Sequence, residues 1–404
     1  MLSTATVSLI DLFADDVLNA PYACFAELRD AGPAVWLERY GIWVCARYAE
    51  VHGALRDWET FSSAAGTGID DLHQSKHQFE SWQPPSLIAE VDPPMHTRHR
   101  ATMNRALSAK AMDGMREAFR ASAEALADQL IARGRIDAVK DIAEAYPLSV
   151  FPKAVGIEAV GLGPDGLDRL RAYGDMVFNA IGPRNARVEA SMAEAAKVVP
   201  WITAQCARDA LSEGSIGAAI WDCVDGGEIT ADVAPLLVLS LLSAGLTTIA
   251  AIGNAIHAFA THPDAWQALR ADPSLVRTAF DEVLRWESPV QMFFRTTTRA
   301  VDFGRVMVPE GAKVLMLTGS ANRDPRKWED PDRFDIRRSS VGHVAFGAGI
   351  HLCVGQMLAR LELEMILTAL ISRVRHIEIA SEPKRRLNNT LRQFDSLPVE
   401  LRPV

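Results

Sequence analysis

Ten residues near the C-terminus, Phe346-Gly347-Ala348-Gly349-Ile350-His351-Leu352-Cys353-Val354-Gly355, set a thiol in a glycine-rich turn. Gly347, Gly349 and Gly355 let the backbone bend tightly and come close to a flat ligand. Cys353 stands just ahead of an apolar-periodic run, Met357 to Val374, that reads as a helix. The free N–H groups and positive dipole end of that helix stabilise a thiolate. Such a thiolate is a strong axial donor to iron.

Other residues stand at spacings that suit binding. Asp92-Pro93-Pro94 suits a helix start, and His96 and Arg100 at i, i+4 then share one face. Two donors on one face can clamp a carboxylate. Glu282 and Arg285, at i, i+3, are close enough to pair. Thr247 and Thr248 place two hydroxyls inside the long uncharged run Ala234 to Ala260.

The ten-residue stretch fills every position of an F-G-x-G-x-H-x-C-x-G pattern and resembles the cysteine-ligand loop of the cytochrome P450 family. The resemblance extends over essentially the whole chain. It implies a mainly α fold with small peripheral β-sheets, and haem b (iron protoporphyrin IX) between the long central helix and the cysteine loop. Cys353 is then the metal ligand, with Phe346, Gly347 and Gly355 shaping its loop. His96, Arg100, Arg295 (in Phe293-Phe294-Arg295-Thr296) and His351 match the family's haem-propionate partners. Glu282 and Arg285 match its buried ion pair. Arg333, in Asp330-Pro331-Asp332-Arg333-Phe334, occupies the place of a third, structural member.

The central helix departs from the family pattern. The usual Ala/Gly-Gly-x-Asp/Glu-Thr-Thr carries an acid and an alcohol that relay protons to the oxygen-activating site. Here the chain reads Ala244-Gly245-Leu246-Thr247-Thr248, without the acid. Either Thr247 replaces the acid and Thr248 is the alcohol, or the acid is deleted and Thr247 is the alcohol. The second is favoured, although a deletion rotates the flanking halves by about 100° unless absorbed locally.

The resemblance implies an O2-dependent monooxygenase served by a ferredoxin and a ferredoxin reductase. In finer detail the chain resembles bacterial enzymes that oxidise para-substituted benzoic acids, typically by O-demethylating 4-methoxybenzoate. The similar stretches include Pro84-Pro85-Ser86-Leu87-Ile88, Val177-Phe178-Asn179-Ala180, Ser288-Pro289-Val290-Gln291 and Asn388-Asn389-Thr390-Leu391-Arg392. Phe178, Val290 and Phe293, with Ile181 and Ala244, then form an apolar slot for a flat ring. Ser86, Ser240, Ser243 and Tyr173 hold its polar end. That subgroup carries arginines where this chain has Gln83 and Leu239, so a neutral methoxyarene is an alternative substrate. The missing acid also allows a peroxide-driven peroxygenase. A haem sensor without turnover is a further alternative.

The elements that must position these residues are mostly helices. Tyr22–Ala31 and Tyr48–Arg56 read as helices around a hairpin, Ala34–Glu38 with Ile42–Ala46. Residues 57–90 read as a long loop. Helical patterns then run on, including Ala186–Ala210 with a break or kink at Pro200, and a central helix over Thr230–Ala260. Strands are expected at Phe294–Val301 and Val314–Leu317. One domain over 1–404 is expected.

With 49% apolar residues the 404-residue chain can bury a large core, and its net charge of −9 argues against nucleic-acid binding. Five scattered cysteines suit a reduced cytoplasm. The N-terminus shows no signal peptide, and the apolar central run is read as buried rather than membrane-spanning. A cytoplasmic monomer is expected. Arg98, Arg105, Lys110, Arg116 and Arg360 form a local basic set on which an acidic ferredoxin can dock.

Overall fold

The computed structural model describes residues 6–71, 85–158, 165–304 and 306–404. Helices make most of it. Alternating apolar residues form the expected hairpin, β2 (Val35–Leu37) with β3 (Ile42–Cys45), in which Trp36 faces Trp43. β6 (Lys313–Met316) joins β3 in parallel, and β5 (Phe293–Thr297) pairs antiparallel with β6. β1 (Val7–Ser8) and β4 (Phe61–Ser62) close the edges, giving the order β1-β2-β3-β6-β5-β4. Phe293 and Arg295 are two apart on β5, so both side chains leave the same face, and both line the central cavity. A second sheet joins strands Val374–Ile379, Pro398–Pro403 and Arg135–Asp137.

The 25-residue helix Ala109–Arg133 starts where Ser108 Oγ accepts from the Ala111 N–H at 3.4 Å, and ends at Gly134 with φ +69°. It packs along the last helix, Gln356–Ile371. The pattern over 186–210 breaks before its proline. Helices Ala186–Ala196 and Val199–Gln205 are separate, and Pro200 lies in the second one's first turn, where a missing N–H costs nothing.

The central helix runs as two segments, Ala234–Ala244 and Leu246–Thr261, that meet at Gly245. A Cβ on Gly245 would lie 2.9 Å from the Phe151 ring, so glycine permits that close packing. The Thr248 N–H donates to Gly245 O at 3.2 Å, three residues back, and the Thr247 hydroxyl takes Ala244 O at 2.8 Å. A side chain thus replaces one rung of the helix ladder, and the junction tightens locally. The span Ala234–Thr261 is long and apolar enough to cross a membrane, with mean hydropathy 2.1, and 67% of its apolar window is buried in the protein. Leu237, Leu241, Ile252, Ile256 and Phe259 all enter one large apolar core.

Candidate active site

A cavity of about 550 Å³ lies where the central helix, the cysteine loop, the strand Phe293–Thr297 and the helices Met95–Ala106 and Gly166–Asn179 meet. Among the described residues Cys353 is the one cysteine on its wall. Gly347 and Gly349 take φ of +75° and +69°, and the Cys353 N–H closes the loop on Phe346 O at 2.8 Å. A Cβ on Gly349 would stand 2.5 Å from Leu55 O, so this glycine is needed for space as well as for its backbone angle. Burial raises the Cys353 thiol, while the Gly355 N–H, the Arg100 guanidinium and the Gln356 N–H pull it back. Helix start and cation therefore both favour the thiolate.

Three of the four expected carboxylate donors, Arg100, Arg295 and His351, line this cavity. His96 stands next to them, its ring centroid 4.4 Å from that of His351. Arg295 is buried on the sheet with no ion pair among the described residues; its Nη1 donates to Phe294 O at 2.7 Å. Burial lowers its pKa to about 10. Arg100 turns toward the cysteine loop and donates to Leu352 O. His351 Nδ1 donates to Ile88 O at 3.3 Å, leaving Nε2 to accept from Ser63 Oγ at 2.9 Å, the arrangement of a neutral ring. His96 Nε2 is buried with no hydrogen-bond partner among the described residues.

Glu282 and Arg285 are fully buried and joined twice, at 2.7 and 2.8 Å. The expected third member is displaced. Arg333 is exposed and pairs with Asp335 at 3.3 Å, and only its carbonyl reaches Arg285. Arg338, nearly buried, takes the place instead, its Nε 3.2 Å from Glu282 Oε1. The chain passes Glu282 with the Asp335 N–H and Ser340 Oγ donating too, so five residues further on the side chain points back. Spacing in an irregular segment does not reveal such a turn.

On the central helix, Thr247 and Thr248 both line the cavity. The hydroxyl hydrogen of Thr247 is engaged by Ala244 O. Thr248 instead meets Glu362 of the last helix. Burial pushes the Glu362 carboxyl up to about 8, and the Thr248 hydroxyl offsets only part of that.

The apolar wall contains Phe178, Ile181, Ala244, Val290 and Phe293, together with Tyr173. Ser86 Oγ and Ser240 Oγ lie 3.5 Å apart on it. Ser240 donates to Leu236 O and Ser243 to Ser240 O, at 2.9 and 3.0 Å. Leu239 lines the cavity, while Gln83 lies outside the described residues. Of the basic set, Arg105, Arg116 and Arg360 pair with Glu228, Glu364 and Asp281, while Arg98 and Lys110 are exposed.

The Cytochrome P450 family model matches residues 222–399. Over 397 residues, 98% of this chain and 94% of the relative, the chain is 51% identical to Cytochrome p450 CYP199A2 of Rhodopseudomonas palustris. The chain belongs to the cytochrome P450 family. It is 33% identical to Cytochrome P450 107B1 of Saccharopolyspora erythraea, over 88% of each chain. Among solved structures, P450 CYP109Q5 from Chondromyces apiculatus has a TM-score of 0.80 and 32% identity over 98% of both chains. Cytochrome P450 CREJ in complex with (4-ethylphenyl) dihydrogen phosphate has a TM-score of 0.85 and 26% identity, over 98% of this chain and 99% of that one.

This P450 is a monooxygenase, and its cofactor is haem b with a cysteine thiolate axial ligand. The residues present fit that group. A buried guanidinium with no direct ion pair and a buried imidazole nitrogen with no hydrogen-bond partner, both among the described residues, are costly unless an anion meets them. The two propionates of haem are anions of the right kind. Two residues of the P450 site escaped the sequence reading, Arg338 and Glu362. The second left a signal: an acid on the apolar face of the last helix, one turn from Leu358 and Ile366.

Proposed function

We propose that this P450 oxidises a small para-substituted arene, with Cys353 as the haem ligand and His96, Arg100 and Arg295 meeting the haem propionates. In this reading His351 braces the cysteine loop through Ser63 and Ile88, as its two hydrogen bonds favour. Bound there, the haem supplies activation of O2 and insertion of one oxygen atom into a substrate C–H bond. The protein's part is to exclude water and to hold one carbon of the substrate in reach.

The observation that carries the substrate class is the cavity wall itself. Phe178, Val290 and Phe293 offer flat apolar surface, and the Ser86–Ser240 patch interrupts it with polar oxygen. The stretches that resemble benzoate-oxidising enzymes supply Ser86, Phe178 and Val290, which supports 4-methoxybenzoate as a substrate. Hydroxylation of its methyl group gives a hemiacetal, which collapses to formaldehyde and a phenol. Cytochrome P450 CREJ, which shares this fold, was solved with a para-substituted arene, (4-ethylphenyl) dihydrogen phosphate, and that supports the same class here. Electrons come from a ferredoxin and its reductase, with Arg98 and Lys110 as exposed cations for an acidic partner. The protein works in the cytoplasm as a soluble enzyme.

A second reading, a neutral methoxyarene, is favoured by the charges on the wall. Its described acids are Asp70, Glu90 and Glu362, and its bases are Arg100, Arg295 and His351, which the haem site uses. The hydroxyl hydrogens of Ser240 and Ser243 go to helix carbonyls. A carboxylate therefore finds no free cation there among the described residues. Titrating the haem absorbance with 4-methoxybenzoate and with 4-methoxytoluene separates the two. A spectral shift with the acid at sub-millimolar concentration supports the benzoate reading. A shift with the neutral ether alone supports the second, and none with either removes the arene assignment.

A further inference from the structure

The stretch Asn388-Asn389-Thr390-Leu391-Arg392 contributes none of the side chains that line the cavity. Asn388, Asn389 and Thr390 are instead buried behind its wall, at 2%, 0% and 1% exposure. Three buried polar residues in a row need partners. We propose that this turn is a specificity-determining element that never touches substrate: it fixes the separation of Phe178 and Val290, and with it the width of the slot, a role that rests on the arene reading only for the identity of the ligand.

The helix Gly166–Asn179 carries Phe178 on its last turn, where the final carbonyls lack partners within the helix. The turn supplies them. The Thr390 hydroxyl donates to Phe178 O at 2.8 Å, 212 residues away in sequence, and Asn389 Nδ2 donates to Asn179 O at 2.9 Å. Asn388 Nδ2 donates to Asp175 O at 3.1 Å, and the Asn389 N–H to Asn179 Oδ1 at 2.9 Å. Asn389 Oδ1 accepts from Asn185 Nδ2 and Arg187 Nε, at 3.1 and 3.2 Å, so the segment after the helix is tied to the same side chain. Gly182 packs against it: a Cβ there would stand 2.7 Å from Asn389 Cβ.

The backbone of the turn is joined to the other wall residue. The Gln291 N–H donates to Thr390 O at 2.9 Å and the Arg392 N–H to Pro289 O at 2.8 Å. Between them Val290 and Leu391 pair as an isolated antiparallel bridge. The Thr318 hydroxyl holds Val290 O at 2.9 Å. Thr390 therefore bonds the Phe178 backbone through its side chain and the Gln291 backbone through its own carbonyl. Phe178 and Val290 both line the cavity, so one buried residue links two parts of its wall.

These bonds resist any widening of the slot, because moving Phe178 away from Val290 leaves buried polar groups unpaired. Without the Thr390 hydroxyl, Phe178 O keeps no such partner, and the helix end gains by shifting toward water. A radial gap of about 0.5–1 Å already forfeits about a quarter to a half of each contact with a flat ring. A flat ligand then binds more weakly, while a bulky one that the closed slot rejects gains room.

The test uses the haem-loaded full chain and two azoles whose ring nitrogen binds haem iron and shifts its absorbance. One is 4-phenylimidazole, flat and narrow; the other is clotrimazole, which carries three aromatic rings on one carbon. In Thr390→Val the affinity for the flat azole relative to the bulky one falls about tenfold from the wild-type ratio. Thr390→Ser keeps the hydroxyl and retains the wild-type ratio. A role confined to stability lowers the unfolding temperature and leaves the ratio alone. If Thr390→Val fails to take up haem, Thr390→Ala, which removes the same donor without adding a methyl group, is read in its place. A wild-type ratio in the haem-loaded variant, or a Thr390→Ser that loses the ratio as Thr390→Val does, overturns the proposal. Both azoles bind whatever the natural substrate is. A failed arene titration beside a changed ratio therefore strikes only the substrate class, and a successful one beside an unchanged ratio strikes only the role of the turn.

Discussion

Arg338 Nε lies 3.2 Å from Glu282 Oε1, so Arg338, and not Arg333, closes the buried charge cluster on the segment that leads into the cysteine loop. Glu282 also holds Arg285, the Asp335 N–H and Ser340 Oγ. A buried carboxylate with every donor in place is stable, and removal of one donor leaves it short.

Arg338→Ala should therefore destabilise the protein by about 1–3 kcal/mol. Arg333→Ala, at an exposed pair, should change stability by about 0.5 kcal/mol or less. Thermal unfolding of the two variants, read alongside haem content, checks the contrast. Equal losses would return Arg333 to the cluster.

Acid should weaken the fold through Glu287. Burial by itself would raise this carboxyl, but Arg392, Arg385 and Arg323 outweigh it and hold the pKa at about 2. A depressed carboxyl adds stability that is complete above its unfolded value of about 4.3 and fades as the pH falls toward the folded one. The contribution is on the order of 3 kcal/mol. Glu287→Gln should be less stable at pH 6 and should show a flatter loss of stability between pH 4.5 and 2. Urea unfolding at several pH values measures both, and a slope equal to wild type contradicts the assignment.

Much of this was legible in the residue order because it depends on local spacing. The cysteine loop, the His96–Arg100 face and the Glu282–Arg285 pair each lie within a few residues, and helical geometry turns those separations into neighbours. The hairpin at Trp36 and Trp43 followed from alternation in the same way. What escaped depends on contacts between distant segments. Arg338 reaches Glu282 across 56 residues, and Thr248 meets Glu362 across two helices. The central helix shows the intermediate case. Gly245 marked a weak point in the sequence, yet the Thr247 hydroxyl replacing a backbone bond at Ala244 is a property of the folded junction.

The two loop glycines should respond differently to alanine. Both have positive φ, which costs an L residue about 1–2 kcal/mol. At Gly347 an added Cβ meets nothing closer than 3.7 Å, whereas at Gly349 it meets Leu55 O at 2.5 Å and Arg56 Cα at 2.8 Å. Gly347→Ala should give a soluble, haem-loaded protein of reduced stability. Gly349→Ala must also move the backbone after residue 54 and should lose most of its haem. The ratio of haem absorbance to protein absorbance separates them.

Adding a cation to the cavity wall should strengthen carboxylate binding. Leu239→Arg adds a guanidinium to a wall whose other described bases, Arg100, Arg295 and His351, are proposed for the haem site. Affinity for 4-methoxybenzoate should rise about tenfold or more, corresponding to about 1.4 kcal/mol or more. Affinity for 4-methoxytoluene should not rise. A parallel gain for both ligands in absorbance titrations would show that the arginine acts on cavity shape and not on charge.

The proposed bond from the Cys353 sulfur to haem iron has a direct optical signature. The reduced protein treated with carbon monoxide should show the strongly red-shifted main absorption band of a thiolate-ligated haem. Cys353→Ser should bind haem and lack that band. Its persistence in Cys353→Ser, or its absence from the wild-type protein, would contradict the account.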